Sequence, residues 1–403
     1  MTTQRLFAAA GPGIDQHRER FGDLPALSRD ELALHLTEAG LTGRGGAGFP
    51  TGRKIDSLGD RPPVVIGNGA EGEPLSAKDV TLLARAPQLV LDGLTLTANA
   101  VAAESVYLYA PSVASAGLQY ALRERERSSA SRSRITLVEA PDVFVAGEES
   151  AVVRRIGGGP ALPRDRTELT TKSGVRGRPT LVSNVETFAH IALIARYGPK
   201  WFRAVGDAAQ PGTMLATVSG SVMPTTVLEV PTGITLCDLI ARTDPDTVNR
   251  LQAVLVGGYH GSWIPVGAIK QARLCSDSLG ASGVTPGAGV IHVLGQDECG
   301  LARTAEITSY LADQSAGQCG PCRYGLPRLS RLLDQLAFSE VDDGLLDEIH
   351  RMVGLVDGRG SCRHPDGTAR FVRSALAVFD SDIAEHRRGC CQAVPAACGG
   401  EPR

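Results

Sequence analysis

Residues 41–54 read LTGRGGAGFPTGRK. Five glycines, Gly43, Gly45, Gly46, Gly48 and Gly52, fall within ten positions. Without Cβ atoms, successive backbone N–H groups can turn toward a single anion. Arg44 and Lys54 bracket the run with positive charge, which suits a phosphate. The spacing GxxxxGK[ST] is not met, so this is not a Walker-type loop. The plain alternative is a flexible linker. The bracketing basic residues and the regular pattern that follows weigh against it.

That pattern is strand–helix alternation. PPVVIGNGAEGEP (62–74) is an apolar run, Val64 to Ile66, breaking into a Gly/Asn/Glu loop. PQLVLDGLTLTANAVAA (87–103) reads as a helix and SVYLYAP (105–111) as a strand. GLQYALRERERSS (117–129) is again helical, and RITLVEAP (134–141) again extended. Alternation of this kind predicts an α/β layered domain, here over residues 41–208. Upstream, residues 1–40 read as a helical lead-in. Its clearest helix is SRDELALHLTEAG (28–40), with Ser28 and Glu31 spaced as a capping box and Gly40 as a stop.

Residues 209–295 change character. MLATVSGSV, TTVLEVP, AVLVGGYHGSWIPV and GVIHVLG are short β-rich runs punctuated by Gly and Pro, with one helix at TLCDLIART. They predict a small β-grasp-like module of strands around one helix. Residues 296–386 read as a helical bundle: Leu326, Leu329, Leu332, Leu333 and Leu336 fall at helical spacing. Residues 387–403, with Cys390, Cys391 and Cys398, read as a flexible tail.

Composition excludes several classes. The 403 residues carry a net charge of −3 and only 4% aromatics, which gives neither a basic footprint nor stacking platforms for nucleic acid. No uncharged apolar run of about 18 residues predicts a membrane span. The first twenty residues lack the apolar core of a signal peptide, so a cytoplasmic chain is expected. Nine cysteines, six of them beyond residue 300, then favour metal or redox chemistry over disulfides.

Three further constellations carry candidate chemistry. GNGAEGEPLSAKD (67–79) offers Asn68, Glu71, Glu73 and Lys78, suited to the hydroxyls of a ribityl chain or ribose, or else an exposed acidic turn. VAGEESAVVRRIGG (145–158) puts Gly147, Glu148 and Glu149 ahead of helix-like sequence, where carboxylates also serve simply as dipole partners. RPTLVSNVETFAHIA (178–192) holds Ser183, Asn184 and Glu186, whose plain reading is helix capping. Near the other end, DQSAGQCGPCRYG (313–325) contains Cys319 and Cys322 as a CxxC. A cysteine three residues earlier would complete a cluster-wrapping run, but Ala316 stands there. Cys237, Cys275 and Cys299 read as small buried hydrophobes.

In this order, GRGGAGFPTG, the N–E–EP–KD loop, GEE and NVET resemble the flavin- and NADH-binding subunit of respiratory complex I. Relatives of that family occur in formate dehydrogenases and hydrogenases. The resemblance runs from about Ala39 to Ile383. It implies a Rossmann-like FMN domain, a ubiquitin-like β-grasp domain of the SLBB type, and a helical domain bearing a [4Fe–4S] cluster. It implies that FMN takes electrons from NAD(P)H and passes them to an iron–sulfur acceptor. Gly43, Arg44, Gly45, Gly46, Lys54, Asn68, Glu71, Gly147, Glu148, Glu149 and Asn184 would hold the flavin. Glu73 would face the nicotinamide nucleotide and Phe49 would pack on its adenine. No side chain is assigned as catalytic. Partners would be a ferredoxin or another iron–sulfur electron-transfer subunit, with any membrane attachment through them.

Departures from the family accompany the likeness. Ala70 stands for an aspartate, Ile55-Asp56-Ser57 for aromatics, and Arg166 and Leu169 for a lysine and a phenylalanine near the nucleotide. Arg166 beside Arg164 would suit a 2′-phosphate or merely be a solvated face. Cys319, Cys322 and Cys362 match the second, third and fourth cluster cysteines, and Ala316 the first. Ser315, Asp313, water or a tail cysteine would then complete a cluster. The other readings are zinc held with His364, an empty site, or a non-catalytic flavin- or ligand-binding scaffold.

Overall fold

The computed structural model describes residues 4–128, 134–165, 168–280, 283–339, 341–391 and 393. The run after the glycine loop becomes β1 (Val64–Asn68), one of the two inner strands of a four-stranded parallel sheet. Its companions are β2 (Ser105–Pro111), β3 (Ile135–Ala140) and β4 (Thr180–Asn184), in the order β3-β2-β1-β4. Side chains of β1 alternate between two cores, as the period of a strand requires. Val65 joins the helices Pro87–Ala100 and Val185–Arg203 on one face. Val64 and Ile66 meet Val152, Val153 and Ile156 of the helix Glu149–Ile156 on the other. Gly93 lets the first two helices touch: a Cβ there would lie 1.9 Å from the Phe188 carbonyl oxygen.

The chain leaves β1 for β2 on one side, and β4 returns on the other. The strand order therefore reverses between β1 and β4, and their carboxyl-end loops part there. In open α/β sheets that parting is where ligands bind. Asn68 and Asn184, the last residues of the two strands, lie in register across it.

A second sheet has five strands: β5 (Thr213–Gly220), β6 (Thr226–Pro231), β7 (Leu251–Val256), β8 (Ser262–Pro265) and β9 (Val290–Gly295). The order is β6-β5-β9-β7-β8, with β5 and β9 parallel and the other pairs antiparallel. Leu236, Leu239 and Ile240 of the helix Leu236–Ala241 cover one face. Ala253, Leu255, Trp263 and Leu294 on the opposite face pack against Leu301, Phe371 and Phe379 of the C-terminal helices. Those helices are Gly300–Asp313, Leu326–Phe338, Leu345–Val356, His364–Val378 and Asp380–His386. The leucine stripe of Leu326–Phe338 is buried throughout.

One charged group joins the parting of the first sheet to the second sheet. Lys78, at the start of the helix Lys78–Arg85, is 1% exposed. Its Nζ pairs with Asp79 at 2.7 Å and Glu186 at 3.0 Å, and donates to Asn184 Oδ1 at 3.1 Å. The other oxygen of Glu186 accepts from the Leu215 amide of β5 at 2.9 Å. Burial alone pulls the ammonium pKa down, but Asp79 and Glu186 outweigh it, so Lys78 stays charged. The same lysine counteracts burial at Glu186, whose pKa falls to about 2. Removing one partner of such a group leaves the others buried and uncompensated. Lys78→Met is expected to cost about 3–5 kcal/mol of stability, read as a lower denaturant midpoint at unchanged slope.

Candidate functional site

A cavity of about 300 Å³ opens where β1 and β4 part. Its floor is the glycine loop, closed on itself by an antiparallel bridge of Thr42 with Pro50 and by the Gly43 amide donating to the Phe49 carbonyl at 2.9 Å. Gly46 and Gly48 take φ of 105° and 63°, which side-chain-bearing residues rarely adopt. The helix Thr51–Asp56 follows directly and sets Lys54 on the wall. Lys54 Nζ donates to the Val182 carbonyl at 2.7 Å and pairs with Glu149 Oε1 at 2.8 Å. Thr170 donates to the same Glu149 oxygen at 3.0 Å.

Short-range capping builds the remaining walls. Glu148 precedes the helix Glu149–Ile156 and accepts from the Ser150 and Ala151 amides, at 2.8 and 3.2 Å. Asn184 caps the helix Val185–Arg203 by accepting from the Glu186 amide at 3.0 Å. The same side chain donates to Asp79 at 2.7 Å and to the Asn68 carbonyl at 3.2 Å. Asn68 in turn donates to the Gly147 carbonyl at 2.9 Å. One amide side chain thus ends β1 and another ends β4, and both are held in place by backbone.

Of the thirteen residues that the resemblance assigns to the cofactors, nine line this cavity: Gly43, Gly45, Phe49, Lys54, Asn68, Gly147, Glu148, Glu149 and Asn184. Ser183, Val182, Thr187 and Thr51 line it as well. Four lie elsewhere. Arg44 is buried, with its guanidinium donating to Thr42 Oγ1 at 3.2 Å and the Pro211 carbonyl at 3.3 Å. Gly46 packs beside Gly287 and Ala288. Glu71 caps the helix Lys78–Arg85, accepting from the Asp79 and Val80 amides at 3.1 and 3.0 Å. Glu73 reaches the second sheet's β7–β8 turn and accepts from the Tyr259 amide at 2.8 Å. Burial raises the Glu73 pKa to about 7; the Tyr259 and Leu75 amides oppose the rise and Glu71 adds to it. Lys78 stands beneath the cavity as the buried hub, so the acidic loop is neither an exposed turn nor uniformly a cavity wall. Leu169 is exposed, and Arg166 lies outside the described residues.

Three of the thiols gather together. The Cys319 thiol hydrogen-bonds Cys322, and Cys362 is an electrostatic neighbour of both. Burial pushes Cys322 up to about 12, aided by the Cys319 contact and the Cys319 and Cys362 charges. The loop between the helices Gly300–Asp313 and Leu326–Phe338 is docked onto the first domain at two points. The Phe144 amide donates to Gln314 Oε1 at 3.0 Å, and Gln318 Nε2 to the Pro163 carbonyl at 2.8 Å. Cys362 also feels the charge of Glu148, a cavity residue. His364 is not turned to the thiols: its Nε2 meets the Leu311 carbonyl at 2.7 Å and its Nδ1 meets His260 at 3.1 Å. Cys391 sits with Cys299 and His386 rather than with this trio, and Cys398 lies outside the described residues. Residues 387–391 of the expected flexible tail are therefore placed against the helices. Cys275 is buried as expected, whereas Cys237 and Cys299 are half-buried.

Among the described residues no helix is long and apolar enough to cross a membrane. A glycine-lined cavity at the switch point of a parallel sheet, with three thiols gathered within electrostatic reach of its Glu148, has the form of a cofactor-binding module. The Nuo51 FMN-binding domain matches residues 36–193, and the NADH-ubiquinone oxidoreductase-F iron-sulfur binding region matches residues 302–386. In carrying both regions the chain is similar to the flavin- and NADH-binding subunits of NADH-quinone oxidoreductases. It is 29% identical over 394 residues to an NADH-quinone oxidoreductase subunit of Rhizobium meliloti (strain 1021), covering 94% of this chain and 93% of that one. To the corresponding NADH-quinone oxidoreductase subunit of Streptomyces coelicolor it is 29% identical over 385 residues, covering 91% and 85%. Among solved structures, NAD+-reducing [NiFe]-hydrogenase in the H2-reduced state superposes with a TM-score of 0.82 at 29% identity. That match covers 91% of this chain, which spans 63% of the hydrogenase chain.

Proposed function

We propose that this chain is an FMN-dependent oxidoreductase subunit that draws electrons from NAD(P)H and delivers them to an iron–sulfur acceptor. The observation that carries the reading is the shared edge of two sites: Glu148 lines the cavity, and its charge reaches Cys362 of the thiol trio. A donor in the cavity and an acceptor at the thiols would be neighbours across one side chain.

The cavity suits FMN. The glycine loop has no Cβ atoms in the way, its wall carries one lysine, and Asn68, Asn184 and Ser183 supply polar groups beside it. FMN, when bound, supplies the exchange of two-electron for one-electron chemistry that nicotinamide and iron–sulfur centres require. Lys54 would hold negative charge on the cofactor, while Glu149, Glu148 and the two asparagines fix its orientation. Gly43, Gly45 and Gly147 let the backbone approach it. Gly46, Arg44 and Glu71 act from behind, on the loop and the helix start. Phe49, half-exposed at the mouth, is suited to stack on an adenine, and Glu73 to face the nicotinamide nucleotide. Cys319, Cys322 and Cys362 would hold the cluster, with the position at Ala316 left to water or a nearby oxygen.

We read residues 41–208 as the cofactor domain, 209–295 as an SLBB-type β-grasp domain and 296–386 as the cluster domain. The single helix on a mixed five-stranded sheet supports the second of these. A ferredoxin or a small iron–sulfur subunit is the expected partner. The missing thiol at Ala316 also favours a scaffold reading, and colour separates the two: a working enzyme is yellow and bleaches with NADH, whereas a scaffold does not bleach.

Lys54→Ala should lose most of its flavin, since one charge-assisted contact contributes about 1.5–3 kcal/mol. Full retention of FMN, measured by fluorescence after denaturation, would refute its role. Glu73→Gln should change the apparent NAD(P)H affinity and leave flavin content intact. The carboxyl is neutral below a pH of about 7 and charged above it. As pH rises through that value, affinity for the anionic dinucleotide should fall in the wild type and stay level in the variant. Equal loss of flavin and nucleotide binding would count against the assignment. Ala316→Cys should raise iron toward about four atoms per chain and slow its loss to chelator, because a cubane normally takes four thiolates. A variant that takes up no iron on anaerobic reconstitution would mean that the thiol site no longer accepts a cluster.

A further inference from the structure

We propose that Cys299, His386 and Cys391 form a second metal site, for zinc, which clamps the segment after the last helix onto the start of the helical domain. The three residues come from distant parts of the chain, yet their ligand atoms lie within 4.8 Å of one another. Cys299 Sγ is 3.5 Å from His386 Nε2. A tetrahedral zinc with bonds of about 2.3 Å to sulfur and about 2.05 Å to nitrogen holds those two atoms about 3.6 Å apart. The spacing is thus that of two ligands on one ion, before any movement.

Each ligand is brought there by its own local structure. Cys299 is the N-cap of the fourteen-residue helix Gly300–Asp313, and its sulfur accepts from the Ala302 amide at 3.4 Å. Burial raises this thiol to about 11, with the Ala302 amide opposing the rise and Cys391 adding to it. A cation between two facing sulfurs reverses that balance and takes both as thiolates. His386 ends the helix Asp380–His386. One turn earlier, the buried Asp382 is its electrostatic neighbour, as carboxylates commonly are for ligating histidines. The chain then doubles back: the Gly389 amide donates to the His386 carbonyl and the Cys390 amide to the Glu385 carbonyl, both at 3.0 Å. Gly389 supports that reversal with φ of 74°. The turn delivers Cys391 to Cys299.

Two thiolates and an imidazole select a soft ion, and tetrahedral geometry selects zinc among those commonly available. Two thiolates also balance the charge of the ion. All three ligands are half-buried, which leaves the fourth position open to water. The site is separate from Cys319, Cys322 and Cys362. Its occupation by Cys391 removes that thiol from the candidates for the position at Ala316.

The test is metal analysis on full-length protein purified without oxygen. Wild type should hold about one zinc per chain besides any iron. Cys391→Ser, Cys299→Ser and His386→Ala should each weaken zinc binding at least about hundredfold, above the usual loss from an outer-shell change. Affinity is read by titrating Zn²⁺ against a chromophoric chelator, with iron and flavin contents as controls. Cobalt(II) in place of zinc should show a thiolate charge-transfer band that Cys391→Ser removes. If Cys299→Ser does not fold, Cys391→Ala deletes one ligand while leaving the Cys299 cap in place and should give the same loss. Three outcomes would overturn the proposal. They are no stoichiometric zinc, zinc that survives Cys391→Ser but leaves with Cys362→Ser, and a Cys299–Cys391 disulfide in the oxygen-free preparation.

Discussion

A lysine with no access to water sits where the two strands of the switch point end, and most of the site is arranged around it. Lys78 needs its carboxylates, since a buried ammonium without partners would cost far more than folding can offset. Those partners belong to different layers: Asp79 to the helix it starts, Asn184 to the end of β4, Glu186 to the helix beyond. Glu186 then reaches across to β5. The ion group therefore fixes the gap between β1 and β4 from below and attaches the second sheet to it. The cavity above can be lined with glycine because its shape is set elsewhere.

A second set of contacts brings the thiols to that cavity. Phe144, His260, His364 and Tyr310 form a knot of rings between the first domain, the β7–β8 turn and the helical domain. Burial lowers the pKa of both histidines, that of His260 well below its ordinary value. The knot is accordingly apolar near neutral pH and behaves as packing. Cys362 lies two residues before His364, so the position of one thiol depends on this packing. Glu73 touches the same turn through Tyr259, which links the acidic loop to the cluster side of the molecule.

Much of this is legible from residue order, and the exceptions share a cause. Ser28 and Glu31 form the reciprocal cap that their spacing predicts, because a cap involves only near neighbours. SVYLYAP and the leucine helix are equally local in origin. β4 is not legible: Thr180–Asn184 is five residues long and half polar, and it is a strand because β1 lies beside it in register. The place of Arg44 among glycines suggests a phosphate ligand, yet its side chain turns back toward Pro211. Glu71 and Lys78 fall in what reads as a sugar-binding loop, whereas one caps a helix and the other is buried. In each case the residue type is informative, but the direction of the side chain depends on a distant segment. Cys299 gives no signal at all, because its two neighbours come from the far end of the chain.

The pairing of Lys54 with Glu149 has a bearing on how an anion enters the cavity. The lysine already has a carboxylate at 2.8 Å and a carbonyl at 2.7 Å, so its charge is largely cancelled within the wall. With Glu148 beside this pair, the lining carries two carboxylates against one lysine, so an anion is not drawn in from a distance. An anion that takes Lys54 as its partner must displace Glu149 at close range. Loading of such a cavity should be slow for an anionic ligand and should quicken as salt screens the second carboxylate, that of Glu148. The same pairing keeps the lysine in place before any ligand arrives, so the side chain has little conformational freedom left to lose on binding.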